Sequence, residues 1–161
     1  KKYKNLLTII IPRHVERVKL IENELKKLNL KTQIYESDNK INFDTEIIIV
    51  NSYGKTKSFY SICKNVFLGG SLVNHGGQNP LEATRYGCNI LHGPNVSNFK
   101  EIYKLLKRKK ISNEINNQSK TIKILDMFFK RKNNFLNNQK DLNLMGKKIL
   151  NFTYKEINLL L

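Results

Sequence analysis

Gly69-Gly70-Ser71-Leu72-Val73-Asn74-His75-Gly76-Gly77-Gln78-Asn79-Pro80-Leu81-Glu82 sets two glycine pairs and a proline between an apolar run and a helical pattern. The residues before it, Asn65-Val66-Phe67-Leu68, read as a buried strand. Those after it, up to Gly87, read as a helix with Pro80 in its first turn, where a missing N–H matters little. Strand, glycine-rich loop and helix N-terminus together offer main-chain donors and a positive dipole end to an anion. Paired glycines also let a ligand approach the main chain closely. The expected occupant is a phosphorylated ligand.

Working outward, strands and helices alternate. Leu6–Ile11 is a continuous apolar run, as for a parallel strand buried on both faces, and Pro12 ends it. Val15, Val18, Ile21, Leu25 and Leu28 recur at helical spacing between His14 and Asn29. Thr32–Tyr35 predicts a short strand, Ser37–Lys40 a polar turn, and Glu46–Val50 another buried strand. Asn51–Gly54 is loop and Thr56–Cys63 helix. Beyond the glycine-rich stretch, Asn89–His92 is a strand stopped by Gly93-Pro94. Asn98 is placed to cap a helix over Phe99–Lys107. Ile111–Ile115 reads as an edge strand, and Ser119 is placed to cap a helix running to Lys130. Asp141–Phe152 and Thr153–Leu161 read as helices. The order implies an α/β fold, a Rossmann-like doubly wound parallel sheet with helices on both faces. Ligands in such sheets sit beyond the carboxyl ends of the strands. Arg13-His14, Tyr53-Gly54, Gly69–Asn79 and Gly93-Pro94 all follow strands, so they are expected to converge there.

The 161 residues suit one domain, and their net charge of +16 invites a nucleic-acid partner. Basic-region, zinc-finger and RNA-binding signatures are absent, which argues against nucleic acid as a partner. A basic surface facing phosphorylated substrates or anionic lipid headgroups uses the charge better. Cys63 and Cys88 have neither metal nor disulfide-framework spacing and read as reduced core residues. His75 and His92 have no ligating partners at metal spacing, and no nucleophile constellation is legible. No run reaches the length of a membrane span. The chain opens at Lys1 rather than Met, which leaves room for a preceding segment.

Single residues keep two readings. Glu82 suits the first turn of a helix, and equally could accept hydrogen bonds from ribose hydroxyls. Asn79 could cap the helix or touch the ligand. Arg13 and His14 could reach a phosphate or sugar, or be a solvated pair, and Arg17 a surface charge.

Gly69–Val73 and His75–Glu82 together resemble the signature of the Kdo transferases (3-deoxy-D-manno-octulosonic acid transferases). Pro12-Arg13-His14 with Glu16-Arg17, Gly54 in its loop, and Gly93-Pro94 with Asn98-Phe99 are similar to further landmarks of that family, in the same order. The resemblance covers about the first 110 residues strongly. It implies a GT-B glycosyltransferase of Gram-negative lipopolysaccharide biosynthesis, which transfers Kdo from CMP-Kdo to a lipid A precursor (lipid IVA) without cofactor or metal at the transfer step. It also implies a place on the cytoplasmic side of the inner membrane.

Residues 1–161 resemble only the C-terminal, donor-binding domain, with the loss of its first strand left open. The acceptor site, membrane-associating region and proposed catalytic base belong to an N-terminal half without counterpart here. The chain is therefore expected to hold the nucleotide, to contain no catalytic residue and not to complete the transfer alone. By the resemblance, Pro12, Arg13 and His14 meet the CMP part, and the Tyr53-Gly54-Lys55 loop offers main-chain contacts. Asn79, Pro80, Leu81 and Glu82 hold the ribose and phosphate end, and Gly70 and Ser71 line the Kdo side. Four positions depart from the family: Lys55-Thr56 replaces a usual Glu-Leu, and Val15 and Ala83 replace prolines. The alternatives are a UDP-sugar GT-B donor domain and a non-enzymatic basic binding module.

Overall fold

The computed structural model describes residues 3, 5–36 and 40–130, together with 144, 147, 151, 154 and 158. The chain divides into two compact units, Lys1–Thr56 and Lys57–Leu161.

The first unit is a parallel sheet of β1 (Thr8–Ile10), β2 (Thr32–Tyr35) and β3 (Ile47–Val50), in the order β1-β3-β2. Central β3 is buried at every residue, as an uninterrupted β-branched run requires. The same expectation does not hold for the Leu6–Ile11 run. Only three of its residues pair, and Leu6 and Leu7 are 45% and 43% exposed; among the described residues of this unit β1 pairs with β3 alone. A 3-10 turn at Val15–Arg17 leads into α1 (Val18–Lys27), which lays Val18, Ile21 and Leu25 on Ile47 and Ile49. The helix closes where Asn29 turns left-handed (φ 57), with Leu30 N–H donating to Leu25 O and Asn29 N–H to Lys26 O. The turn expected at Ser37–Lys40 lies, over 37–39, outside the described residues.

In the second unit β4 (Asn65–Leu68), β5 (Asn89–His92) and β6 (Ser112–Glu114) are parallel in the order β4-β5-β6. Alternation along β5 sends consecutive side chains to opposite faces. Ile90 joins Leu68, Ala83, Tyr103 and Leu106, under α3 (Leu81–Arg85) and α4 (Lys100–Arg108). Leu91 joins Ile115 and Phe128, under α5 (Gln118–Lys130). This sheet is thus covered on both faces, as the connections of a parallel sheet demand. The α/β, Rossmann-like class agrees with the sequence, and the paired strands form two three-stranded groups. β4 lies at an edge and leaves Phe67 46% exposed, where a buried strand was expected.

Three helix ends differ from expectation. Pro80 is the N-cap of α3, and that helix stops at Arg85 after five residues. Gly87 (φ 75) ends it, with Gly87 N–H donating to Thr84 O and Cys88 N–H to Ala83 O. Asn98 does not cap α4: it lies inside a 3-10 turn, Ser97–Phe99, and binds the glycine-rich loop instead. Asn117, not Ser119, caps α5, its Oδ1 accepting from Lys120 N–H at 2.8 Å. The helices expected over 141–161 lie outside the described residues except at Leu144, Lys147, Asn151, Tyr154 and Asn158, which are helical. Cys63 and Cys88 are free thiols. Cys88 is buried with its Sγ 3.1 Å from Cys63 O, and burial pushes its thiol up to about 12.

Candidate functional site

The register Asn65↔Asn89 through Leu68↔His92 ends β4 and β5 level with each other. The loops that follow therefore start side by side, and Ser71 joins them. Its hydroxyl, fully buried, donates to Leu68 O at 2.6 Å and accepts Gly93 N–H at 2.8 Å. Its carbonyl accepts Asn95 N–H at 2.9 Å. The approach at Gly93 is so close that a Cβ there would lie 2.2 Å from Ser71 O and 2.7 Å from Leu72 N, so no other residue fits. Ser71 was expected to line a ligand. Its side chain is instead taken up by the protein interior, leaving only its main chain to offer.

The loop is pinned at further points. Gly70 (φ 67) turns it back so that Gly77 N–H reaches Gly70 O at 3.1 Å. Asn98 N–H donates to Gly76 O at 3.2 Å. From α4, the Tyr103 hydroxyl donates to Gln78 O at 2.9 Å. Burial raises the Tyr103 hydroxyl pKa and keeps this donor protonated. His92, buried under Tyr103 with ring centroids 4.3 Å apart, has Nδ1 2.7 Å from Gly93 O. Burial pushes the His92 imidazole down, so the neutral ring, donating from Nδ1, fits this contact.

The loop delivers Asn79–Glu82 to the start of α3. Asn79 Oδ1 accepts Leu81 N–H at 3.0 Å from one residue outside the N-cap Pro80. Pro80 is buried, and its carbonyl accepts from both the N–H and the hydroxyl of Thr84. Asn79 and Leu81 are exposed and the Glu82 side chain is 46% exposed, 3.6 Å from Lys57 Nζ on α2 (Thr56–Ile62). An ion pair this open contributes little stability. At five residues α3 carries little macrodipole, so what it offers an anion is chiefly its first-turn N–H groups, of which Leu81 N–H is already met by Asn79.

The remaining candidates belong to the first unit. Pro12 ends the apolar run after β1, half-buried, and Arg13 and His14 are exposed just beyond it. His14 is extended at the head of the Val15–Arg17 turn. Tyr53, Gly54 and Lys55 follow β3. The Tyr53 hydroxyl donates to Glu16 Oε1 at 3.2 Å, which brings the loops after β1 and β3 together. Gly54 (φ 76) faces open space, with nothing within 4 Å of a would-be Cβ. The structure thus gathers the candidates in two sets, one per unit: Pro12, Arg13, His14 with Tyr53–Lys55, and Gly70, Ser71 with Asn79–Glu82. Sequence reasoning weighed His92 only as a metal ligand and passed over Tyr103; the two hold the second set from below. A polar aromatic on an otherwise apolar helix face was the available signal for Tyr103.

No protein-family model matches the chain. It is 40% identical over 106 residues to a 3-deoxy-D-manno-octulosonic acid transferase of Haemophilus influenzae, covering 65% of this chain and 25% of that protein. Against the same-named protein of Aquifex aeolicus the identity is 30% over 122 residues, covering 76% of this chain and 33% of that one. The chain is related to the C-terminal half of the Kdo transferases.

A bifunctional glycosyltransferase/methyltransferase of Fusobacterium nucleatum is 37% identical over 136 residues, covering 83% of this chain and 21% of that protein. The fold agrees with the crystal structure of the C-terminal CMP-Kdo binding domain of WaaA from Acinetobacter baumannii, with a TM-score of 0.75 at 24% identity. That match covers 84% of this chain and 70% of the other. The chain spans between 21% and 33% of the length of these curated Kdo transferase and glycosyltransferase relatives.

Proposed function

We propose that this chain is the donor-binding domain of a glycosyltransferase that uses CMP-Kdo. The observation that carries the reading is the glycine-rich connection, tied to the next loop through Ser71 and Gly93 and presenting Asn79–Glu82 at a helix start. A loop fixed before the ligand arrives loses little entropy on binding. Kinship to Kdo transferases, and the fold shared with a CMP-Kdo binding domain, support CMP-Kdo as the sugar nucleotide.

Donor contacts are proposed for each unit on its own. In the second, Glu82 accepts hydrogen bonds from the ribose hydroxyls, Asn79, Pro80 and Leu81 flank the phosphate end, and the main chain at Gly70 and Ser71 faces the sugar acid. In the first, Pro12, Arg13 and His14 contact the CMP part, and Tyr53, Gly54 and Lys55 contribute main-chain groups. CMP leaves as an anion, so donors held beside its phosphate stabilise the departing charge.

The acceptor in this reading is a lipid A precursor, met at the cytoplasmic face of the inner membrane of a Gram-negative cell. The acceptor contacts and the catalytic base are assigned to the part of the relatives this chain does not span. None of the described helices is long and apolar enough to cross a membrane.

Calorimetric titration with CMP, UMP and AMP tests the reading. CMP is expected to bind at least about tenfold more tightly than either, a difference of about 1.4 kcal/mol. Preference for UMP would transfer the assignment to a UDP-sugar enzyme. Absence of nucleotide binding together with tight, steeply salt-dependent DNA binding would make the chain a basic binding module.

A further inference from the structure

A cleft of about 410 Å³ opens in the second unit where the end of α4 meets β6 and α5. None of the residues proposed above for the sugar nucleotide lines it. Its walls carry three ammonium groups, on Lys107, Lys110 and Lys120, and one carboxylate, on Glu114. Among the described residues none of these lysines forms an ion pair. Lys104 on the same helix, by contrast, is taken up by Glu101 at 2.7 Å. Three cations facing one space repel each other, and Glu114 offsets only one of them.

Ser112 belongs to the same wall but is sealed behind it. It is 3% exposed on the wall of this cleft, and its hydroxyl has no hydrogen-bond partner. A buried hydroxyl in that condition is unfavourable, and its oxygen carries no surface that an occupant of the cleft could reach. Ile124 and Met127 of α5 give the remaining wall an apolar surface. Ammonium groups suit phosphate oxygens as point charges, and the apolar wall accommodates carbon.

We propose that this cleft binds a phosphate monoester, held by Lys107, Lys110 and Lys120, with its carbon substituent against Ile124 and Met127. The phosphate could belong to a lipid headgroup or to a soluble ester, and the recognition chemistry is the same. The inference is independent of the CMP-Kdo reading, and its test contains no nucleotide.

The whole chain is titrated with glycerol 3-phosphate by calorimetry, and its sedimentation is followed with phosphatidylcholine vesicles with and without phosphatidic acid. The double variant Lys107→Ala/Lys120→Ala is expected to lose about tenfold or more in affinity for the phosphate-bearing probe. The pair Lys27→Ala/Lys40→Ala, which removes the same charge from the first unit, should bind like the parent. Ser112→Ala should bind like the parent while its melting temperature stays level or rises, because an unsatisfied donor is removed.

Binding of glycerol 3-phosphate identifies a soluble ester as a sufficient ligand. Binding only to phosphatidic acid vesicles, lost in the cleft variant and kept in the control pair, identifies the lipid source. No binding to either probe, or equal losses in both double variants, overturns the proposal.

Discussion

In the second unit the main chain between Gly70 and Gly93 is tied down at Gly70, Ser71, Gly76 and Gln78. In the first unit the loops after β1 and β3 meet through an exposed Tyr53–Glu16 hydrogen bond, and Gly54 faces open space. Both sets of loops stand at the ends of parallel strands and both carry proposed donor contacts. They differ in where their order comes from. The glycine-rich loop is shaped by the fold, so damage to it should appear as lost stability. The first unit's loops leave Arg13 and His14 exposed, so damage there should appear as lost affinity.

The largest effect that could break this contrast is Gly93→Ala. A Cβ at 2.2 Å from Ser71 O forces two main-chain segments apart. The expected destabilisation is about 3 kcal/mol, read by chemical denaturation. Ser71→Ala comes next, because it strands the buried Gly93 N–H, with an expected loss of about 2 kcal/mol. Gly54→Ala meets no neighbour and suffers only its left-handed backbone, so about 1 kcal/mol is expected. A loss at Gly54 equal to that at Gly93 would erase the distinction between the two regions.

Smaller effects sharpen it. The folded-state pKa of His92 is depressed, so the unfolded chain binds this proton more readily. Stability associated with the neutral ring is therefore present above the ordinary value of 6.5 and declines as pH falls below it. His92→Phe keeps a ring against Tyr103, and its melting temperature should change less between pH 7 and pH 5 than the parent's does. Smallest in stability is Glu82→Ala, expected to shift unfolding by less than about 0.5 kcal/mol because its Lys57 contact is open to solvent. Nucleotide affinity should nevertheless fall. A large stability loss with affinity intact would return Glu82 to a purely structural role.

Much of the fold was legible because its signals are local. The run Glu46–Val50 could only be a buried strand, and the glycine pairs with Pro80 could only be a strand-to-helix connection. What escaped depends on neighbours distant in sequence. Whether Leu6-Leu7 and Phe67 are covered depends on which strands β1 and β4 pair with, which no period within a strand reveals. Asn98 looked like a helix cap because its partner, Gly76, lies 22 positions away. The Ser71 hydroxyl looked free for a ligand because the Gly93 N–H that occupies it belongs to another loop. The candidate residues around Asn79–Glu82 were readable as a motif, while the devices that hold them, Tyr103 and His92, became visible only through packing.

The most direct test maps CMP onto the chain by amide chemical-shift perturbation in the intact 161-residue protein. The expected result is a set of saturable shifts over Gly69–Glu82, accompanied by shifts at Arg13, His14 and Gly54 and reproduced only weakly by UMP. Shifts confined to the lysine-rich surface of α4 and α5, with Gly69–Glu82 silent at saturation, would contradict the assignment of the glycine-rich connection as the nucleotide cradle.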